Sequence, residues 1–163
     1  MTLFSNQPGD EGLPGHERAR VMVALMTTTL MGVFDGTMIN VALPSMASAM
    51  QVSANVAVWF ANGYLLSAVM TLAIFAALAA RMGYRPVFLA GLATFTLTSL
   101  GCALATTPDM LIGMRVLQGI GGAATLSIAP AILRSVFPGR LLGRVLGLHA
   151  LLIAASTAIA PVL

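Results

Sequence analysis

Five long apolar runs leave this 163-residue chain few ways to fold. They cover residues 21–43, 56–80, 87–106, 110–133 and 145–163. A helix needs about 20 mainly apolar residues to cross the hydrocarbon of a bilayer, and each run supplies them, the last marginally. Backbone N–H and C=O groups in lipid must be satisfied within the protein, so a spanning segment is a helix or part of a closed barrel. The runs lack the short alternating pattern of barrel strands. Five transmembrane helices in an all-α membrane protein are therefore predicted. Composition agrees, with 58% hydrophobic and 8% charged residues, where a soluble domain has about 25% charged.

The net charge of +3 and the pI near 10.0 do not indicate a nucleic-acid partner. The basic residues, all eight of them arginine, fall singly or in pairs between apolar runs rather than in one patch. One cysteine, Cys102, excludes a disulfide within the chain and reads as a small buried residue. His16 and His149 are far apart in sequence. His16 reads as a tail residue and His149 as a packing residue. No cofactor and no metal are expected.

Residues 1–20 are polar and rich in Pro and Gly, and read as a disordered cytoplasmic tail. The run that follows is too long for a signal-peptide core, so no cleavage is expected. Arg18 and Arg20 precede the first run, Arg81 and Arg85 lie between the second and third, and Arg134, Arg140 and Arg144 lie between the fourth and fifth. The alternate loops, 44–55 and 107–109, contain no arginine. By the positive-inside rule the N-terminus is cytoplasmic, and the expected location is the inner (plasma) membrane, multi-pass. Trp59 and Phe60 then open the second helix at the outer interface, which aromatics favour.

The eighth arginine, Arg115, stands inside the fourth run, in "MRVLQGIGGAATLSIAP". It can snorkel to the outer headgroups. Alternatively it faces a wet cavity or a partner, since a charge held deep costs at least ~2.5 kcal/mol on insertion scales. At 100° per residue Arg115, Gly119 and Gly122 fall within about 60° of one another, with Gln118 on the same flank. Glycines permit close helix contact, so the stripe is expected to face protein. The first run has its own polar interruption, "VFDGTMINVALP", with Asp35, Thr37 and Asn40 before Pro44. Asp35 can carry a proton, pair with Arg115, or serve as a structural hydrogen-bonding group. Asn40 with Pro44 is expected to help end the helix. Between the second and third runs Gly83 allows a tight reversal flanked by Arg81 and Arg85. In the fifth run Ala160 and Pro161 follow small residues that favour close packing.

Together these stretches resemble the major facilitator superfamily, specifically its drug:proton antiporter branch with 14 helices. "DGTMINVALP" is similar to the helix 1 signature of that branch through Asp35, Thr37, Asn40, Ala42, Leu43 and Pro44. "LIGMRVLQGIGGA" resembles its helix 4 motif, "ALAARMGYRPVFL" its loop 2–3 motif, and "ASTAIAP" the start of its helix 5 motif. The resemblance covers about residues 20–163. It implies efflux of hydrophobic, often cationic, compounds driven by proton influx. It implies that Asp35, Arg115, Gln118 and Gly119 serve proton coupling or the transport path. It gives Arg81, Gly83 and Arg85 a gating-loop role. Ala80 stands where the family has an aspartate and cannot make that acid's contacts; Ala76, Tyr84 and Ala160 also differ from the family pattern.

Family members have 12 or 14 helices in two halves, with the substrate site between the halves. Five helices form an incomplete N-terminal half. The 163 residues alone are therefore expected not to transport. Expected partners are membrane lipid, further C-terminal helices or a second copy, and a hydrophobic small molecule in the longer form. A small membrane interaction or assembly subunit is the alternative class. A membrane enzyme is disfavoured, because no His cluster, nucleophile elbow or metal spacing is present.

Overall fold

Each apolar run becomes one helix in a computed structural model, which describes residues 12–159. The helices are α1 (Gly15–Ala49), α2 (Ala54–Met82), α3 (Tyr84–Ala103), α4 (Pro108–Val136) and α5 (Gly139–Ile159). All five are long and apolar enough to cross a membrane, and among the described residues there is no strand. More than half of the apolar window of α4 is buried, against at most 28% in any other helix. The helix that carries the intramembrane arginine is thus the one most enclosed by protein.

Most helices extend beyond their apolar runs, although α3 stops at Ala103, short of residue 106. The first departs furthest from expectation. It begins at Gly15, inside the stretch expected to be a polar tail; residues 1–11 of that tail lie outside the described residues. It also passes through Pro44 and stops only at Ala49. Proline within a helix removes one N–H donor, and its ring crowds the carbonyl four residues earlier. That carbonyl belongs to Asn40. The Asn40 side chain does not end the helix: its Nδ2 donates back to Gly36 O at 3.0 Å. Ser45 Oγ donates to Ala42 O at 2.8 Å beside the proline. Both bonds lie within α1 around the proline, and neither is made to the Asn40 carbonyl.

The chain divides into two compact units. The one made of residues 35–128 holds most of α1's second half, α2, α3 and most of α4. Its core includes Ala57, Phe60 and Leu111, with Ile39, Leu43, Met46, Cys102 and Ile112 packed against them. Phe60 is therefore a core residue rather than an interfacial one, whereas Trp59 beside it is half exposed. On the other side of α4, Gly91 of α3 meets Ala124 and Gly121 in close contact.

The other unit is formed by residues 12–34 and 129–159. Met22, Leu25 and Thr29 are buried on α1, as are Leu133 and Val136 on α4 and Leu141 and Val145 on α5. The start of the chain is tied to the end of α4, where Leu13 N–H donates to Val136 O at 3.1 Å. This satisfies one of the carbonyls that every helix C-terminus leaves without an intrahelical donor. His149 lies on α5 with its Nε2 3.5 Å from Thr29 Oγ1.

Candidate functional site

Four helices send polar groups to one place in the unit of residues 35–128. Asp35 comes from α1, Phe60 and Tyr64 from α2, Ser99 and Cys102 from α3, and Arg115 and Gln118 from α4. Arg115 and Gln118 are three residues apart, so both project on one face of α4. Arg115 is 2% exposed and Gln118 fully buried. The arginine does not reach out to headgroups; of the readings open at the sequence level, contact with protein is the one realised.

The bonds converge on a single carboxylate. Arg115 Nη1 donates to Asp35 Oδ2 at 2.7 Å and to Gln118 Oε1 at 2.6 Å. Gln118 Nε2 donates to the other carboxylate oxygen, Asp35 Oδ1, at 2.9 Å, and to Ser99 Oγ at 2.6 Å. Arg115 Nε donates to the backbone carbonyl of Phe60 at 2.9 Å. Cys102 Sγ lies 3.8 Å from Gln118 Oε1, so this cysteine borders the network rather than only filling apolar space. The Asp35 side chain keeps 23% of its surface exposed, against 3% for Arg115. The acid is therefore the edge of the network and the guanidinium its floor. A buried charge pair of this kind is held where each partner is also hydrogen-bonded to other groups, which is the case here.

Gly119 holds the helices rather than joining the network. A methyl there would collide with Ser67 Oγ and with the backbone carbonyl of Tyr64, both on α2. One turn on, a methyl at Gly122 would come within 2.7 Å of the Tyr64 hydroxyl. The glycine stripe of α4 thus lets α2 approach closely enough to place Phe60 and Tyr64 beside Arg115.

The remaining sequence candidates lie elsewhere. Thr37 is half-buried on α1, and Asn40 and Pro44 are exposed, with Asn40 bonded locally. Arg81, Gly83 and Arg85 are exposed at the joint between α2 and α3. Gly83 is the only residue between those helices, with φ 90° and ψ 154°, and its N–H donates to Ala79 O. Ala160 and Pro161 lie outside the described residues. Ser99, Cys102 and Tyr64 were not legible as site residues. Their only signal is that each is polar or polarisable within an otherwise apolar run. Among the described residues no cluster of His, Cys, Asp and Glu could hold a metal.

Five apolar helices with a buried ion pair among them define a multi-pass membrane protein of the transporter kind. Residues 25–163 match the Major Facilitator Superfamily, and the chain belongs to that family of transporters rather than to an enzyme family. It is 37% identical over 151 residues to the uncharacterized transporter YebQ of Escherichia coli, covering 93% of this chain and 33% of that protein. It is 34% identical to the methylenomycin A resistance protein of Bacillus subtilis, over 86% of this chain and 30% of the relative. Against the tetracenomycin C resistance and export protein of Streptomyces glaucescens it is 32% identical, over 87% and 26% respectively. The chain thus spans about a third or less of these relatives' length.

Proposed function

We propose that these five helices form the coupling end of a proton-driven exporter of hydrophobic, often cationic, compounds, in the 14-helix antiporter branch of the family. The observation that carries this reading is the buried contact of Arg115 with Asp35, reinforced by Gln118 at both partners. Resistance in the names of two relatives, and export in one of them, support efflux.

The arrangement has the chemistry for exchange. Asp35 is the more exposed member of the pair. A proton arriving on Asp35 removes the anion that faces Arg115. A cationic compound competes for the same carboxylate. The two events are mutually exclusive at one side chain, and that is the physical content of antiport. Gln118 and Ser99 keep the carboxylate and guanidinium in register while the partner changes. Gly119 sets the α2–α4 distance. Arg81, Gly83 and Arg85 form the cytoplasmic gating turn, without the acid that Ala80 replaces. Thr37, Asn40 and Pro44 shape the outer part of α1. The N-terminus is cytoplasmic in the inner membrane. Alternating access needs a second set of helices to move against the first, so transport requires helices beyond these five, with lipid around them.

The test joins the five helices to the remainder of the Escherichia coli relative, in place of that protein's matching third. Resistance and dye export in a pump-deficient strain are then measured. The chimera is expected to export and the 163 residues alone are not. Asp35→Asn in the chimera is expected to abolish export driven by a proton gradient. Resistance from the 163 residues alone that depends on Arg115 would overturn the need for further helices. An Asp35→Asn chimera that still exchanges protons for dye at the original rate would overturn the coupling role.

A further inference from the structure

Arg115 has one close neighbour that no hydrogen bond accounts for. Its Nε and Nη1 make three hydrogen bonds, while its Nη2 is buried and donates none. The guanidinium carbon lies 5.1 Å from the centroid of the Tyr64 ring. A guanidinium within about 6 Å of an aromatic face is attracted by the ring quadrupole, most strongly where both are desolvated. Both are: Tyr64 is 7% exposed and Arg115 2%.

The contact is built into α2. Phe60 and Tyr64 are four residues apart, on successive turns of one helix face. The first turn offers its carbonyl to Nε and the next offers its ring to the cation. The ring is confined by α4, where a side chain at Gly122 would strike its hydroxyl. The Phe60 carbonyl and the Tyr64 ring face keep their attraction for a cation whatever the state of Asp35. Asp35 loses its attraction when it is protonated or paired with another cation.

We propose that Tyr64 is a positioning residue of the coupling centre: its ring holds the Arg115 guanidinium on α2 while Asp35 is disengaged. The ion pair then opens by departure of the carboxylate, and the arginine stays in place to receive it again. This role rests on the antiport reading above, whereas the cation–ring attraction itself does not.

The test is made on the 163-residue chain and needs no export. Tyr64 is replaced by phenylalanine and then by mono-, di- and trifluorinated phenylalanine. Fluorine withdraws electron density from the ring face with little change in shape. Equilibrium unfolding in detergent is measured for each variant. The folding constant is expected to fall stepwise, by about tenfold from phenylalanine to the trifluoro ring. The series is repeated with Arg115→Gln, where the dependence on fluorine is expected to vanish. No fluorine dependence with Arg115 present, or the same dependence in its absence, overturns the proposal. Should the Arg115→Gln chain not fold, the shift of the Arg115 guanidinium nitrogen resonance on Tyr64→Leu decides. Loss of an upfield ring-current shift supports the stacking, and an unchanged resonance refutes it. A failed chimera export test leaves this result intact, so the two readings fail separately.

Discussion

Asp35 and Arg115 hold each other, and the value of the pair is best seen by removing one member at a time. Losing one partner of a buried ion pair typically costs about 3–5 kcal/mol, because the survivor is left uncompensated. Arg115 is the more deeply buried of the two, which places Asp35→Asn, stranding the guanidinium, above Arg115→Met, which strands a partly exposed carboxylate. The double variant removes both charges and is expected to be less damaged than the sum of the singles, with a coupling of about 1–3 kcal/mol. Unfolding of the four chains in detergent measures this, and simple additivity would mean the two side chains do not interact. Gly119 acts by a different route. Alanine there meets a backbone carbonyl of α2, which has little freedom to yield, so Gly119→Ala is expected to destabilise by about 1–3 kcal/mol. Gly113 on the same helix has open space around it. Alanine at 113 is expected to be neutral or to stabilise by about 0.5–1 kcal/mol through helix propensity. Melting midpoints of the two variants compare the close approach directly with the propensity effect.

At the level of elements, the runs predicted each helix but not its ends. Hydropathy reports where lipid begins, whereas a helix continues for as long as its backbone donors find acceptors. This is why α1 starts at Gly15 and passes Pro44. Apolar content marked both segments as outside the membrane, and it says nothing of whether the backbone stays helical through a proline. The α2–α3 joint was legible, because a single glycine between two long runs has to reverse the chain. Its φ of 90° with ψ of 154° lies in a region that is essentially glycine-only. A methyl there meets only Pro86 Cδ at 3.9 Å, so any penalty is backbone strain rather than collision. Gly83→Ala is expected to destabilise by about 1–3 kcal/mol and to speed hydrogen exchange at the last amides of α2 and the first of α3. Unchanged exchange at the joint would show that the turn relaxes without strain.

For the whole molecule, the sequence exposed the charged partners but not what surrounds them. An aspartate and an arginine in otherwise apolar runs are conspicuous, so Asp35 and Arg115 were found from spacing and family resemblance. Phe60 contributes through its backbone carbonyl and Tyr64 through a ring face, and neither chemistry leaves a mark in composition. Orientation is the property for which sequence carries the most information, since seven arginines fall in the N-terminal segment and the loops 81–85 and 134–144. Juxtamembrane arginines resist translocation, and this bias sets topology through short loops such as these. Single cysteines in a Cys102→Ser background test it with a membrane-impermeant maleimide. Gln51 and Thr106, both exposed between helices, are expected to label on intact cells when changed to cysteine. Tyr84→Cys and Gly139→Cys are exposed at the opposite joints and are expected to label only after permeabilisation. The reverse pattern would put the arginine-rich face outside. On the proposed antiport reading it would also reverse the side from which a proton reaches Asp35, because that side is set by topology.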